Sequence, residues 1–511
     1  MMSRLDPRDK YREDVNIWVD EAIWGHRLYN DQTPWLVLLE FLAVFQSRAY
    51  EGIALSETRR GNTQEEFTYH IPRLIPLRQL IFNNPHVQHI ENTQNSDGER
   101  WNSWLDQFSA GYDYSYLRNR FSSFSRLARV IEFFQTTSIE PHRQRRWSSR
   151  FHFPYGPYCL YADLPGNING SPDRRFFARS GELLYLMLSR SGSGPEIAKL
   201  ISDKLLRKDD PWNRIITALL PSGYHMNSDN VSSTIGYLPF QDRPEYSALA
   251  KTWLGLLQLD IPGEALLDPL MRLSALHMLL YMLRRANEEI GEINTEPKFV
   301  LEIASPRKTT LFELSAENFG ANRMLSTRAV RAYVESAKLD KGWGNALSAR
   351  APSAALRDYL TMRYSWKPED GTSSGSPDAI FDSLRDYAER RHQQHVAKVH
   401  AEWTRQIGLA VSRRGTGTWY SPDDLLLKAL VICTVDEGRE EYNRFLEKLY
   451  DHFQLVIGVK EAERAFGTLP IDQNAFIQNT QRLEQRLGTL GLLRRLSDDC
   501  AYVENPFRNG P

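Results

Sequence analysis

Arginines interleaved with aromatic residues mark a segment of the sequence suited to binding nucleic acid. This basic and aromatic segment spans residues 116–158. Its arginines are Arg118, Arg120, Arg126, Arg129, Arg143, Arg145, Arg146 and Arg150. Its aromatic residues include Phe121, Phe124, Phe133, Phe134, Trp147 and Phe151. Between the first and last of these arginines only Glu132 and Glu140 carry negative charge. Guanidinium groups neutralise phosphates and rings stack on unpaired bases, so the pattern indicates a nucleic-acid contact. The alternative is that the rings belong to the core and the arginines are solvated or ion-paired.

A second candidate contact lies near the C-terminus, on a helix that begins after Asp472. Its polar face carries the base-reading candidates, and two further arginines follow in the next segment. These residues are Gln478, Arg482, Gln485, Arg486, Arg494 and Arg495. Glutamine and arginine side chains can read base edges, and arginine also binds phosphate. From residue 471 to residue 511, however, five arginines face five acidic residues, so this region alone would bind DNA weakly. DNA contact and docking of a protein therefore remain equal alternatives.

Familiar catalytic motifs are absent from the sequence. There is no GxxxxGKS/T phosphate loop, no GxSxG nucleophile turn and no HExxH metal motif. Glu302, in a strand predicted over residues 299–304, resembles the acidic residue of a nuclease strand, but Ala304 stands where a catalytic lysine would be. His392, His395 and His400 are predicted to face solvent on a long helix. No metal and no cofactor are expected.

A cluster of arginines just before a predicted helix offers a third candidate site. Arg174, Arg175 and Arg179 precede a helix that Ser180 can cap. The N-terminus of a helix with nearby arginines can hold an anion. The alternative is an ordinary capped helix without a ligand.

The elements that must position these residues are predicted to be mainly α-helical. We expect a multi-helical N-terminal body with a few short strands (residues 1–365), a linker (366–377), a long connecting amphipathic helix (378–413) and a C-terminal winged helix-turn-helix module (419–511). The linker is rich in Pro, Gly and Ser, and Gly415 and Gly417 end the long helix. Thr33 followed by Pro34 predicts the start of an early helix.

The winged-helix prediction depends on capping residues and turns. Ser421 followed by Pro422 predicts one helix start, and Asp472 caps another helix that Gly491 ends. Two short runs, 492–496 and 500–504, flank a polar turn and predict a β-hairpin. Several helices, a glycine stop and a hairpin follow the order of a winged helix-turn-helix.

Composition narrows the class of protein. The chain has 511 residues, a net charge of −1 and three widely spaced cysteines, Cys159, Cys433 and Cys500. A disulfide framework is therefore not expected, and overall charge gives no general attraction to nucleic acid or membrane. The charged N-terminus lacks the apolar core of a secretion signal, and no segment is expected to span a bilayer. These features favour a cytoplasmic protein.

We therefore expect a non-enzymatic, nucleic-acid-associated accessory subunit of a DNA-processing or antiviral defence complex. It would have a protein partner and would contact DNA through the C-terminal winged helix. Two alternatives remain: a protein-interaction scaffold that does not touch nucleic acid, and a metal-dependent nuclease with a dispersed site.

Overall fold

The computed structural model describes residues 18–508 with gaps. The gaps are 26–27, 29–31, 57–58, 61–62, 65–67, 72–74, 83, 85, 109–111, 137–155, 160–179, 222–230, 235–237, 239, 241, 304–308, 367–374, 468–470 and 498–499. The described chain is mainly helical with a few short strands, which confirms the predicted class.

Helices alternate with short connections along the described chain. The N-terminal helices are α1 (Asp20–Trp24), α2 (Pro34–Tyr50), α3 (Ile75–Phe82), α4 (His86–Thr93), α5 (Asp97–Gln107), α6 (Leu117–Arg120), α7 (Phe124–Thr136), α8 (Ser180–Ser189), α9 (Gly194–Lys204) and α10 (Pro211–Leu219). The later helices are α11 (Pro244–Leu257), α12 (Gly263–Glu289), α13 (Thr310–Glu335), α14 (Lys341–Leu347), α15 (Pro352–Tyr364), α16 (Pro377–Gln394), α17 (Val396–Gln406), α18 (Asp424–Thr434), α19 (Tyr442–Phe453), α20 (Val459–Phe466) and α21 (Gln473–Thr489). As predicted, Thr33 caps α2, with its hydroxyl 3.4 Å from the backbone N–H of Leu36.

The strands are short and form small separate sheets. They are β1 (Arg59–Arg60), β2 (Thr63–Gln64), β3 (Thr68–Ile71), β4 (Val231–Thr234), β5 (Phe299–Val300), β6 (Ala410–Arg413), β7 (Gly417–Tyr420), β8 (Arg439–Glu441), β9 (Leu455–Val456), β10 (Leu493–Ser497) and β11 (Cys500–Glu504). Three pairs, β1–β2, β3–β4 and β6–β7, are antiparallel, whereas β5 pairs with β9 in parallel. The strands β10, β11 and β8 form an antiparallel sheet in that order.

Helix α12 lies at the centre of the fold, packed against α1, α2, α11, α13 and α18. By length and composition alone α12 could cross a membrane, so the expectation that no segment spans a bilayer stays a prediction. Its most apolar window is 94% buried inside the protein, as in the core helix of a globular fold. Arg272 and His277 interrupt the apolar run in the sequence but are themselves buried.

The predicted long helix over residues 378–413 is wrong in two respects. It breaks at His395 into α16 and α17, and residues 410–413 form strand β6 of a hairpin. In a continuous helix, apolar residues spaced four apart rotate by about 40° per step around the axis and would leave the core-facing side. The break at His395 gives α17 a new direction, in which its apolar residues are buried. Gly408, with φ +77°, follows the end of α17, whereas Gly415 lies in the hairpin turn and Gly417 is the first residue of β7.

One continuous apolar core runs through the described chain, from Trp18 in the N-terminal part to Val503 in β11. Trp366 in the predicted linker is buried in this core, while residues 367–374 lie outside the described residues. The division of the chain at 366–377 therefore stays a prediction.

Buried polar groups join α2 to the start of α8. The Glu40 carboxylate accepts hydrogen bonds from the Gly181 backbone N–H at 2.7 Å and from the Gln32 amide at 2.7 Å. The Gln32 side-chain oxygen accepts the backbone N–H of Ser180 at 3.1 Å. These internal groups occupy the first N–H groups of α8, which supports the capped-helix alternative over an anion site there. Arg174, Arg175 and Arg179 lie outside the described residues.

Candidate nucleic-acid interface

The basic and aromatic segment is only partly described. Arg118, Arg120, Arg126 and Arg129 are exposed on α6 and α7. The other four arginines lie outside the described residues; they are Arg143, Arg145, Arg146 and Arg150. That all eight arginines form one contact surface therefore stays a prediction.

Arg120 binds backbone carbonyls at the C-terminal end of α10. Its guanidinium donates to the backbone carbonyls of Ala218, at 3.0 Å, and of Leu220 at the end of α10. It also lies over the ring of Tyr116, 4.7 Å from the ring centre. Carbonyls at a helix C-terminus lack helical partners, and a cation there is favourable. Arg120 thus caps α10, and its hydrogen-bonding capacity toward a phosphate is reduced.

Most described rings of this segment belong to the core. Phe124 and Phe134 are buried, and Phe124 packs edge-on against Trp101. Phe133 is 41% exposed, but it stacks on Trp212 at 5.1 Å with an interplanar angle of 11°. A base would have to displace Trp212 to use that face. The alternative interpretation of core aromatics is therefore favoured for α7, while Trp147 and Phe151 lie outside the described residues.

The C-terminal helix α21 presents a continuous row of amides to solvent. Four exposed side chains repeat at helical spacing along one face. They are Asn474, Gln478, Gln481 and Gln485. Phe476, Leu483 and Leu487 occupy the buried side. Since the two stripes lie on opposite sides of the helix, burying one exposes the other.

Asn479 fixes the rotation of α21, a role that sequence analysis missed. Its side-chain N–H groups donate to the carbonyls of Leu301 and Ile457, both at 2.9 Å, and its oxygen accepts the N–H of Ile303 at 2.8 Å. Three satisfied bonds hold this buried amide beside β5 and β9. An asparagine inside an apolar helical stripe was the available signal, because buried amides require several partners.

The predicted arginines around α21 differ in their availability. Arg486 is bound to Asp424 at 2.7 Å and to the carbonyl of Pro422 at 2.9 Å. Arg495 lies 3.6 Å from Glu484 and donates to the Ser497 carbonyl.

Arg482 and Arg494 are less constrained. Among the residues that the structure describes, Arg482 bonds only to the amide oxygen of Gln478, at 3.3 Å. Arg494 is exposed on β10, directly opposite Tyr502 of β11, and has no ion-pair partner among the described residues. Gln478, Gln485, Arg482 and Arg494 are therefore the predicted site residues most available for contact.

The helix before this region does not start where the sequence predicted. Asp423, rather than Ser421, caps α18, with its carboxylate accepting the Leu426 N–H at 2.7 Å. The same carboxylate lies 3.2 Å from Arg272 of α12. The Asp423 carboxylate thus serves both as the cap of α18 and as the partner of an arginine in α12.

Charge around α21 is unfavourable for DNA. From residue 424 to residue 511 the chain has fourteen acidic and eleven basic residues, a net charge of −3. Any affinity for phosphate would come from a few exposed arginines rather than from the charge of the whole segment.

The histidine prediction is wrong for two of its three residues. His392 is 1% exposed and His400 is 5% exposed, because both point into the core rather than to solvent. Within the described residues no group of three or more His, Cys, Asp and Glu side chains could hold a metal ion.

Glu302 is buried, and its carboxylate accepts the Trp419 indole N–H at 3.3 Å. The nuclease alternative stays a prediction that these contacts do not support.

Comparisons with known proteins do not add to this picture. A scan against protein-family models finds no match, and a search of curated proteins finds no significant match.

Proposed function

We propose that residues 424–504 form a winged helix-turn-helix and that the protein is an accessory subunit that contacts DNA within a larger DNA-processing or defence complex. The order of elements supports this proposal. Helices α18 and α19 flank strand β8, and α21 leads into the hairpin β10–β11, which joins β8 in one sheet. In winged helices the helix before the hairpin is the one that reads the major groove.

The amide row on α21 is the observation that carries the proposal. Glutamine and asparagine side chains form paired hydrogen bonds with adenine in the major groove. Gln478 and Gln485 face solvent two helical turns apart, and Asn479 holds the helix in the orientation that exposes them. A helix can enter the major groove lengthwise, so a row along its axis can contact successive base pairs.

The negative charge of the segment explains why the role would be accessory. Arg482 and Arg494 are the arginines most available to phosphate, and two phosphate contacts give a salt slope of only about −2. Such weak binding suits a subunit that is brought to DNA by a protein partner and then adds sequence preference.

Docking of a protein on the same face is the second candidate. Two observations favour it: Arg486 and Arg495 are bound to groups of the same chain, and Ile477 on α21 and Leu496 on β10 are 46% and 57% exposed. Apolar residues next to neutral amides are more typical of a protein interface than of a phosphate-binding surface.

Fluorescence anisotropy with a random pool of labelled duplexes tests the proposal. The full chain should bind weakly between about 50 and 200 mM salt, and Arg494→Ala should reduce the salt slope by about one. Sequence selection from the same pool should yield a preferred motif, and the double variant Gln478→Ala, Gln485→Ala should lose it.

A matched control is the double variant Gln393→Ala, Gln394→Ala on the exposed end of α16, which should behave as wild type. Absence of salt-dependent binding by the full chain would contradict DNA contact. If the α21 variants then release a co-purifying protein while the α16 control retains it, the docking candidate is supported.

A further inference from the structure

The long helix α13 leaves one face exposed along most of its length. The opposite side is buried, and Phe319, Leu325 and Val330 lie there in the core. Six exposed residues follow one another along the open side. They are Glu313, Glu317, Ala321, Met324, Arg328 and Arg331. With 3.6 residues per turn, Met324 and the four charged residues fall within about 60° of one another around the helix axis. We call this stripe the α13 face.

Charge is divided between the two ends of the α13 face. An acidic pair, Glu313 and Glu317, lies at its N-terminal end, and a basic pair, Arg328 and Arg331, lies at its C-terminal end. Between the pairs Met324 is 51% exposed. Burial of such an apolar side chain against another molecule is favourable. A molecule that fits this face should therefore present basic, apolar and acidic groups in the reverse order.

The two charged ends differ in the contacts they already make. Neither carboxylate of the acidic pair has a hydrogen bond or ion pair within the part of the chain that the structure describes. Arg328 donates through one Nη to Glu292 at 2.7 Å, and Arg331 donates through Nε and one Nη to Glu389 at 2.6 and 2.8 Å. A guanidinium has five N–H donors, so each arginine keeps donors that these contacts do not use. Both side chains also stay more than half exposed, at 53% and 56%.

A second copy of the same helix, running antiparallel, presents the required order of groups. The outer members of the two pairs, Glu313 and Arg331, are centred on position 322. The inner members, and likewise Ala321 and Met324, are centred half a residue further on. A two-fold axis near this position places both acidic residues of each copy opposite basic residues of the other. A parallel arrangement would instead bring acid against acid, which is unfavourable.

We propose that the α13 face is a homodimer interface, in which two copies of the chain pack antiparallel across a two-fold axis. From Glu313 to Arg331 the face is about 27 Å long, at 1.5 Å per residue. A single helix face about 10 Å wide lies at the lower end of the area of specific interfaces, so the dimer is reversible and depends on concentration. The dimer carries two copies of α21, and its formation does not require them to bind DNA.

Sedimentation velocity of the full chain tests this interface. In low salt, the wild type should shift from the mass of one chain to that of two between about 1 and 100 μM. The contacts at both ends are exposed ion pairs, which salt screens. Raising the ionic strength to about 0.5 M should therefore increase the dissociation constant at least about threefold.

Reversal of charge at one end of the face gives the decisive variants. Glu313→Arg with Glu317→Arg makes the face wholly basic, whereas Arg328→Glu with Arg331→Glu makes it wholly acidic. Each double variant alone should be monomeric, because like charges then meet at both ends. An equimolar mixture of the two variants should dimerise, because all four contacts again join opposite charges. Circular dichroism of each variant checks that it is folded.

A matched control and a second measurement complete the test. Glu196→Arg with Asp203→Arg reverses an exposed acidic pair on α9 and should dimerise as the wild type does. If a charge variant misfolds, cysteine cross-linking replaces it. A tagged Ala321→Cys chain mixed with Met324→Cys should form a disulfide-linked heterodimer under mild oxidation, whereas Glu196→Cys mixed with Met324→Cys should not.

Three results would overturn the proposal. The first is a wild-type chain that stays monomeric at about 100 μM in low salt. The second is a dimer that persists in both charge-reversed variants, because it would use another surface. The third is a mixture of the two folded variants that does not associate. None of these results depends on whether the α21 surface binds DNA.

Discussion

Substitution of Gly181 by alanine tests the packing of α2 against α8. A Cβ at this position would lie 2.6 Å from the backbone nitrogen of Phe41, 2.7 Å from the backbone oxygen of Val37 and 2.6 Å from the Cβ of Glu40. Two of these atoms belong to the backbone of α2, so they cannot rotate away. The two helices must separate by several tenths of an ångström to accept one methyl group.

The expected cost combines overpacking with a weakened hydrogen bond. Inserting a methyl group into a packed core costs about 1–3 kcal/mol. Separation also stretches the bond from the Gly181 N–H to the Glu40 carboxylate, and a hydrogen bond to a charged group contributes about 1.5–3 kcal/mol. The better helix propensity of alanine returns at most about 1 kcal/mol. We expect the free energy of unfolding to fall by about 2–4 kcal/mol.

Urea unfolding followed by tryptophan fluorescence measures this change. Gly320→Ala is the matched control, because Gly320 lies within α13 and a Cβ there meets no atom within 4 Å. The control should raise the free energy of unfolding by about 0.5–1 kcal/mol through helix propensity alone. The described contact between α2 and α8 would be refuted if Gly181→Ala left the free energy of unfolding unchanged. It would also be refuted if Gly181→Ala raised that free energy, as Gly320→Ala should.

Two further predictions concern stability. Arg120→Ala removes donors from carbonyls at the end of α10 and should lower the melting temperature, whereas Arg126→Ala on the exposed face of α7 should not; equal melting temperatures would contradict the capping role. His400, with its pKa lowered to about 3 by burial, takes up a proton near pH 6.5 only when the chain unfolds, so stability is complete above pH 6.5 and falls below it. Between pH 7.5 and 5.5 its contribution to the loss of stability is about 1.4 kcal/mol in total, and urea unfolding of His400→Gln should show a loss smaller by about that amount over the same range. His89→Gln, at an exposed site on α4, should leave the pH dependence unchanged, and an unaltered His400→Gln profile would argue against a neutral buried ring.

Features with local causes could be predicted from the sequence. Thr33 caps α2 as expected, because a threonine followed by proline favours a helix start wherever it occurs. The predicted hairpin over 492–496 and 500–504 is found as Leu493–Ser497 and Cys500–Glu504. Gly491 adopts a positive φ of 72° at the end of α21, as the glycine stop predicted.

Features with distant causes could not be predicted in this way. The Asp423 carboxylate that caps α18 also pairs with Arg272, which is 151 positions away in the chain. His392 looks like a solvent-facing helix residue until Trp24 and Ser326 cover it from other parts of the chain. Charge counting treated Arg120 as free, although carbonyls about a hundred residues later bind it. A sequence pattern gives the type and spacing of residues. The burial and pairing of these side chains depend instead on residues that are distant in the chain and close only in the folded structure.

The contacts of α1 have a consequence for biosynthesis. Asp20 is bonded to His392, which follows it by 372 positions, and the Trp24 indole donates to the carbonyl of Met282. A ribosome adding about 5–20 residues per second needs about 20–70 s to translate from the first partner to the second. Throughout that time Trp24 and its apolar neighbour Ile23 are in the nascent chain without their final burial. Helix α1 therefore docks after most of the polypeptide has been synthesised. Until then its apolar side chains are exposed, and binding by a general chaperone would keep them from aggregating.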